Sequence, residues 1–294
     1  MRCSRSVRNT ESLMSPPRVA DATDPELNER LARHLKGCCF GGLVQAYAHC
    51  PSTMEAAHEL ARQGTGEGAL VFAAQQEQGR GRQGRRWESP EGGAYFSLIL
   101  RPVRPSADAP QLSLVAGLAV AEAIRALANR PPSVRWPNDV LLDGKKIAGV
   151  LVEANRTVPG SSPKAKCLAP GEWVILGIGI NAATDPAHLP DTATSLAAAG
   201  AAETDPCAVT AAVCRHLDRW YDVWTAQGFA PIREALRPCL SHLGGMVRLT
   251  TGTEQMEGQV VDLDEHGRIL IRLDSGLQRT FDAAQITLLS PCAS

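Results

Sequence analysis

The sequence of 294 residues lacks the residue spacings by which metal sites are usually detected. Its nine cysteines include no Cys-x-x-Cys pair, and its seven histidines include no His-x-x-x-His or His-Glu-x-x-His spacing. We therefore predict that the protein itself binds no metal. Cysteines that are scattered and odd in number are typical of a reducing compartment. The adjacent Cys38 and Cys39 leave a redox pair or a soft-metal site as a weaker alternative.

An excess of charge of one sign and a long apolar run are also missing. The 30 basic and 31 acidic residues nearly cancel, so the chain has no general attraction to nucleic acid. The longest apolar stretch, 112–124, is shorter than the roughly 20 residues that span a bilayer, and the basic N-terminus leads into no signal-like apolar segment. We therefore predict a cytoplasmic protein without a nucleic-acid or membrane partner.

Composition and periodicity divide the chain into three parts. Residues 1–37 are polar and are predicted to be a mobile N-terminal extension that ends in a short helix near 26–35. Residues 38–241 intersperse helices with strands that have the alternation or apolar continuity of a covered sheet. Residues 242–294 contain short strands separated by glycine turns, which predicts a small β-barrel. The Pro- and Gly-bounded segment 159–171 is predicted to be an exposed connection.

Four helices are predicted within the central part. Ser52 followed by Glu55 predicts a capping box that opens a helix over 52–63, and this places Ser52 and Thr53 at a helix N-terminus. The segment 111–129 is apolar on most faces and is predicted to be a buried helix that ends before two prolines. Two further helices are predicted at 205–227 and 231–240.

The segment 79–92 contains four arginines within seven positions of a glycine-rich backbone. Its glycines satisfy the GxGxxG pattern of dinucleotide-binding proteins, but residues 87–92 are unsuited to begin the helix which that fingerprint requires. Guanidinium groups match phosphate geometry and stay charged at any cellular pH. The segment is therefore interpreted as a loop that folds around an anion. A solvated basic turn or a nucleic-acid patch is the alternative.

The Asp143-Gly144 pair between two apolar runs predicts a tight β-hairpin. The pairing that follows from this turn sets Asp139 opposite Ala148. It also makes Asp139 and Lys146 diagonal neighbours on one face, roughly 7 to 8 Å apart at Cβ. A carboxylate and an ammonium group at that separation bracket a ligand. The alternative is a surface salt bridge that contributes little.

A third segment, 177–181, follows an apolar strand that begins near Trp173 and reads Gly-Ile-Gly-Ile-Asn. Its glycines either let a ligand ring lie against the backbone or ease the close packing of strands. The segment alone does not decide between these interpretations.

Together these segments resemble the conserved motifs of the biotin protein ligase family. The resemblance covers about 48–289, and all four motifs occur in the family's order. They are GRGRxGRxWxSPxG at 79–92, WPND at 136–139, K(I/L)AG at 146–149 and GxGIN at 177–181. The resemblance implies an α/β (α+β) fold, in which a mixed-sheet catalytic domain precedes a small SH3-like β-barrel.

The activity implied by the resemblance is the ATP-dependent attachment of biotin to protein. Biotin and ATP, with Mg²⁺, would form biotinyl-5'-AMP, and biotin would then pass to a lysine of a biotin carboxyl carrier domain of a biotin-dependent carboxylase. The family implies a monomer or homodimer. Because only residues 1–37 precede the catalytic part, we expect the monofunctional form without an N-terminal DNA-binding domain.

The resemblance also assigns site residues. Residues implied in binding biotin are Ser52, Thr53, Met54, Gln76, Arg80, Gly81, Arg82, Lys146 and Gly149. Residues implied in binding ATP or the adenylate are Arg80, Arg82, Arg85, Trp87, Asn138, Lys146 and Asn181. Residues implied in catalysis are Lys146, Arg82 and Asp139.

Three other functions are compatible with part of this pattern. A lipoate or octanoate protein ligase shares the catalytic fold, a biotin-responsive repressor shares the ligand, and a non-catalytic biotin-binding module shares the pocket. The arginine-rich motif favours the biotin ligase over the lipoate ligase. A module that only binds biotin would not explain Lys146 beside a phosphate-binding loop.

Overall fold

The computed structural model of the protein describes residues 22–104, 106–155, 172–252, 254–286 and 288–291. The connection predicted at 159–171 lies outside the described residues, as does most of the predicted N-terminal extension. Among the described residues the α-helices are α1 Pro25–His34, α2 Thr53–Arg62, α3 Leu112–Ala128, α4 Pro206–Gln227 and α5 Ala230–Leu236.

Twelve strands form two sheets in the described part of the chain. The first sheet contains β1 Val44–Cys50, β2 Leu70–Gln76, β3 Ala94–Leu100, β4 Pro132–Arg135, β5 Asp139–Leu142, β6 Lys145–Asn155 and β7 Trp173–Ile180. The second contains β8 Met246–Thr251, β9 Glu254–Leu263, β10 Ile269–Leu273, β11 Gln278–Phe281 and β12 Leu288–Pro291. The predicted mixed α/β fold followed by an all-β part is confirmed.

The first sheet is mixed and has the strand order β1-β2-β3-β7-β6-β5-β4. Only β1 and β2 pair in parallel, whereas the other neighbours are antiparallel. Helix α2 packs on one face, against β2, β3 and β7. The larger core lies on the other face, where α3 and α4 cover the sheet. The site described below lies on the face that carries α2.

Helix α3 matches the buried helix predicted at 111–129, and it ends at Asn129 in the left-handed conformation. By length and composition, the segment Ala107–Ala128 is apolar enough to cross a membrane, but 67% of its most apolar window is buried inside the protein. The helix packs against α4, β4 and β6. We therefore interpret α3 as a core helix.

Helix α2 begins at the predicted position, but the predicted capping box is wrong. Ser52 occupies the N-cap without a side-chain hydrogen bond to the helix. Instead, the backbone N–H of Thr53 donates to Oε1 of Gln76 at 2.9 Å. A glutamine from the end of β2 thus satisfies one of the free N–H groups of the helix terminus, and the Ser52 hydroxyl has no partner in the helix.

The hairpin of β5 and β6 turns at 143–144 as predicted, but its register differs from the prediction. Asp139 lies opposite Gly149 rather than Ala148, because a β-bulge shifts the pairing by one residue at Ile147. Residues directly opposite each other share a face of the sheet. The bulge therefore brings Gly149 onto the face of Asp139 and Lys146.

At the other edge of the first sheet, α1 supports β1. The backbone N–H of Asp24 donates to the carbonyl of Ala46 at 2.8 Å, and the N–H of Ala46 donates to Oδ1 of Asn28 at 2.6 Å. Leu31 is completely buried. This is the short helix predicted near 26–35, and it packs against the sheet. The domain boundaries at 37/38 and 241/242 remain predictions.

The helix predicted at 231–240 is shorter than expected. Helix α5 ends at Leu236, and a 3₁₀ turn over Arg237–Cys239 follows it. Pro238 lies inside this turn and has no N–H to continue the α-helical bonding.

The second sheet is antiparallel and has the order β11-β10-β9-β8-β12. Gly252, Gly267 and Gly276 turn its hairpins with positive φ angles. Trp136 joins the two sheets, since its indole N–H donates to the carbonyl of Gly267 at 3.0 Å. The backbone N–H of Ser241 also donates to the carbonyl of Val134, at 2.8 Å. The barrel is thus docked on the β4 side of the first sheet.

Candidate functional site

One end of the site is lined by uncharged hydrogen-bonding groups around the start of α2. The hydroxyl of Thr53 donates to Oε1 of Gln76 at 3.1 Å and accepts from Ser97 at 2.8 Å. The amide of Gln76 donates to the hydroxyl of Ser89 at 2.8 Å. The Ser52 hydroxyl is buried and has no hydrogen-bond partner among the described residues. A buried hydroxyl without a partner is costly unless a ligand supplies one.

The floor of the site is made of glycines on two adjacent strands. A Cβ atom built at Gly149 or Gly179 would lie 2.8 or 2.7 Å from the ring of Trp87. A Cβ atom at Gly177 would lie 2.4 Å from the sulfur of Met54. These separations are shorter than van der Waals contact, so the glycines are required for Trp87 and Met54 to lie against the backbone. The side chains of Trp87 and Met54 therefore cover this flat floor.

The arginine-rich segment forms a tight hairpin above this floor. The N–H of Gly81 donates to the carbonyl of Arg85 at 2.8 Å, and the N–H of Trp87 donates to the carbonyl of Gly79 at 2.9 Å. The only helical part of the hairpin is a three-residue 3₁₀ turn at Arg82–Gly84. The helix that a dinucleotide fingerprint requires is therefore missing from these described residues, as predicted.

The tip of the hairpin is tied to the barrel. The guanidinium of Arg82 donates to the carbonyl of Ala283, and Nε2 of Gln83 donates to the carbonyl of Ile286 at 3.0 Å. Arg82 also donates to Oδ1 of Asn138 at 3.2 Å. Burial lowers the pKa of Arg82, while the nearby Asp139 opposes that shift. An arginine still carries its charge after such a shift, so a half-buried cation faces the site.

Lys146 and Asp139 form a direct ion pair, with Nζ and Oδ1 2.6 Å apart. The other oxygen of Asp139 accepts from Arg135 at 2.6 Å. The two side chains therefore contact each other directly, but the pair is not the surface salt bridge of the alternative, because only 15% of the Asp139 side chain is exposed. The ammonium group of Lys146 also lies 4.9 Å from the centre of the Trp87 ring. A carboxylate, an indole and the backbone thus hold this lysine.

These groups surround one cavity of about 160 Å³. Twelve of the predicted site residues line it, namely Thr53, Met54, Gln76, Arg80, Gly81, Arg82, Arg85, Trp87, Asn138, Asp139, Lys146 and Gly149. Ser52 is buried at the start of α2, next to the lining residue Thr53, and does not itself line the cavity. Asn181, which was predicted to bind ATP or the adenylate, does not line the cavity. Its amide donates to the carbonyl of Thr194 at 2.9 Å. Thr194 belongs to a segment whose backbone binds that of Lys146. The N–H of Lys146 donates to the carbonyl of Thr192, and the N–H of Thr194 donates to the carbonyl of Lys146.

Several groups of the site were missed by the sequence reasoning. Ser97 is a polar residue in an otherwise apolar strand, and Ser89 lies inside the arginine-rich motif, so each gave a detectable signal. Arg135 immediately precedes the WPND motif. The carbonyl groups of Ala283 and Ile286 gave no signal, because a backbone acceptor is present at every residue.

No group of three or more potential metal ligands occurs among the described histidines, cysteines and acidic residues. The pKa of Cys38 is raised, chiefly by burial, and the pKa of Cys39 is raised chiefly by the charge of Asp218. Both shifts disfavour the thiolate, which is the reactive and metal-binding form. The alternative of a redox or soft-metal site at these cysteines therefore has no support in the structure.

Two family models match the chain. The biotin/lipoate A/B protein ligase family matches residues 47–164, and the biotin protein ligase C-terminal domain matches residues 242–289. The biotin ligase of acetyl-CoA carboxylase from Paracoccus denitrificans is 35% identical over 239 residues, which cover 79% of this chain and 95% of that one. The bifunctional ligase/repressor BirA of Bacillus spizizenii is 35% identical over 237 residues, which cover 79% of this chain and 70% of that one.

A similar solved structure is the biotin protein ligase from Aquifex aeolicus in complex with biotin and ATP. It superposes with a TM-score of 0.69 at 29% identity, and the match covers 85% of this chain and 99% of that one. The biotin protein ligase from Leishmania major in complex with biotinyl-5-AMP gives a TM-score of 0.55 at 25% identity, over 82% of this chain and 98% of that one.

Proposed function

The chain belongs to the biotin protein ligase family, and from that premise we propose that it couples biotin to a carrier protein at the expense of ATP. One observation carries the proposal: a single cavity joins the buried, uncharged groups at the start of α2 to the cations Lys146 and Arg82. Biotin has a neutral ureido ring at one end and a carboxylate at the other. The two ends of the cavity match these two ends of the molecule.

The ureido ring would bind at the uncharged end. It offers N–H donors and a carbonyl acceptor, which complement the unpartnered Ser52 hydroxyl and the Thr53–Gln76 pair. Met54 would supply apolar contact beside them. The carboxylate would then extend past Met54 and Trp87, which cover the glycine floor, towards Lys146.

In the first step, a carboxylate oxygen of biotin attacks the α-phosphorus of ATP, an O–P bond forms and pyrophosphate leaves. The attack brings two anions together, so cations that are already in place lower its barrier most. Lys146 and Arg82 are such cations, and Arg85 lies in the same hairpin. Because the described residues offer no resident metal site, Mg²⁺ would arrive with ATP, bound by the phosphate oxygens.

The hairpin must open for this chemistry to start. A cavity of about 160 Å³ is smaller than the space that biotin and ATP need. Opening would break the contacts of Arg82 and Gln83 with the barrel, and closing would exclude water from the reactive anhydride.

In the second step, a lysine amine of the carrier domain attacks the acyl carbonyl, a C–N bond forms, AMP leaves and the amine loses a proton. Asp139 is proposed to orient the incoming amine or to take its proton. Its two oxygens already contact Lys146 and Arg135, and this arrangement favours orientation. Asn181 is proposed to act indirectly, through the segment that holds Lys146. A carrier domain of a biotin-dependent carboxylase, a monomeric or homodimeric state and a cytoplasmic location remain predictions.

The test is to mix the purified protein with biotin, MgATP and a biotin carboxyl carrier domain and to measure the intact mass of the carrier. We expect the mass of one biotinyl group, and no addition when the acceptor lysine of the carrier is replaced. The same experiment with lipoate separates the second candidate, the lipoate ligase. Attachment of lipoate without attachment of biotin would overturn the proposal. Retention of the protein on operator DNA in the presence of biotin and ATP would reveal a repressor activity as well.

A further inference from the structure

Four side chains meet where β6 passes the arginine-rich hairpin. A guanidinium nitrogen of Arg80, which lies in the hairpin, is 2.9 Å from Oε1 of Glu153 on β6. The other oxygen of Glu153 lies 3.0 Å from Nε2 of His58 on α2. The indole N–H of Trp173 on β7 donates to Nδ1 of the same histidine at 3.1 Å. Three secondary-structure elements therefore hold one carboxylate in front of the hairpin.

The indole N–H of Trp173 determines which group donates in each of these hydrogen bonds. Because Trp173 has only a donor, Nδ1 of His58 must accept, and the proton of the neutral ring is therefore on Nε2. His58 then donates to Glu153. This bond is the largest of the effects that lower the pKa of Glu153, and the charge of Arg80 lowers it further. The carboxylate stays ionised and turns its second oxygen towards Arg80.

Arg80 and Arg82 are two residues apart, but their surroundings differ. Arg82 donates to the neutral oxygens of Asn138 and Ala283, so its charge is available to an anionic ligand. The charge of Arg80 is already neutralised by Glu153. The backbone of Arg80 also bridges to Arg86 on the opposite arm of the hairpin. Arg80 is therefore placed to fasten the base of the hairpin.

We propose that Glu153 is a positioning residue that latches the hairpin over the site through Arg80, with His58 and Trp173 holding the carboxylate in place. The latch governs how long the acyl adenylate stays enclosed before the carrier arrives. This inference rests on the proposed function, since it requires an intermediate to retain. It assigns Glu153 no contact with the reacting atoms.

The experiment uses Glu153→Gln, which keeps the shape of the side chain and removes its charge. The full-length protein is loaded with biotin and MgATP without carrier, and biotinyl-5'-AMP that escapes into the filtrate is measured over time. We expect release about two- to fivefold faster than from the unchanged protein, as the loss of a partly exposed ion pair predicts. The rate of adenylate formation at saturating substrates and the melting temperature should not change.

Glu59→Gln is the matched control, because Glu59 forms an Arg–Glu pair with Arg62 at 2.6 Å on the exposed side of α2. It should leave adenylate release unaltered. Trypsin provides a second readout, since it cuts after arginine. Cleavage within the hairpin should be faster in Glu153→Gln and unaltered in Glu59→Gln.

Arg80→Ala tests whether the two residues act as a pair. In an Arg80→Ala background, Glu153→Gln should add little to the release rate, because the partner is already absent. Fully additive effects, or equal release from Glu153→Gln and the unchanged protein, would overturn the latch. If the unchanged protein makes no adenylate at all, the proposed function fails instead, so the two failures are distinguishable.

Discussion

The two ends of the candidate site are built from different chemistry. Around the start of α2 the groups are uncharged and enclosed, with Ser52 and Thr53 only 1% and 3% exposed. At the other end lie ions, and 30% of the Lys146 side chain remains exposed. The difference fits the proposed function, in which the uncharged end binds the substrate and the charged end activates it. Substitutions at the two ends should therefore alter different kinetic constants.

Lys146→Ala should have the largest effect. Removing a preorganised cation that neutralises charge in the transition state typically lowers the rate about 100-fold or more. We expect this loss in adenylate formation, measured as pyrophosphate release at saturating biotin. Lys145→Ala is the matched control, because Lys145 is exposed at the start of the same strand. Normal pyrophosphate release by Lys146→Ala would refute the role of the lysine.

Asp139→Asn should slow transfer to the carrier more than it slows adenylate formation. Loss of a charged hydrogen-bonding partner predicts a transfer rate that is lower by a factor of at least about ten. Single-turnover transfer from a preloaded adenylate separates the two steps. Asp143→Asn is the control, because Asp143 lies in the exposed turn at a positive φ that asparagine also adopts. Equal slowing of both steps would count against the proposed role of Asp139.

Ser52→Ala examines the uncharged end. The hydroxyl makes no hydrogen bond to the helix, so its loss should leave the melting temperature of the ligand-free protein unchanged. Loss of one hydrogen bond to the ureido ring should raise the Kd for biotin about five- to tenfold, with kcat preserved. Calorimetric titration with biotin measures the affinity. A lower melting temperature with unaltered affinity would show that Ser52 is only a structural residue.

Gln83→Ala should have the smallest effect, because it removes one hydrogen bond between the hairpin and the barrel. We expect tryptic cleavage in the hairpin to become about twofold faster. Gln255→Ala, on an exposed position of β9, is the control. Identical cleavage of the two variants would show that the contact with Ile286 does not hold the hairpin.

Much of the fold was predictable because its signals are local. The buried helix α3, the turn at 143–144 and the helix start at Ser52 each depend on a few neighbouring residues. The β-bulge at Ile147 was not predictable from the same pattern, because one extra residue in a strand leaves the apolar sequence unchanged. The predicted opposition of Asp139 and Ala148 was therefore wrong by one position.

The candidate site was predicted best where a motif contributes its own side chains. Lys146, Arg82 and Trp87 come from such motifs and line the cavity. Groups that reach the site from distant segments were missed, such as Ser97 and the backbone of the barrel. The predicted capping box failed because the Ser52 side chain makes no hydrogen bond to the helix, and the contact of Thr53 with Gln76 from β2 is invisible in the local sequence.

The attachment of the hairpin to the barrel also bears on which mutations the C-terminal part tolerates. Arg82 and Gln83 bind the main-chain oxygens of Ala283 and Ile286, not their side chains. A change of residue type there leaves an acceptor in the same place, whereas an insertion or deletion would displace both oxygens. We therefore expect the segment 283–286 to tolerate changes of residue type better than changes of length.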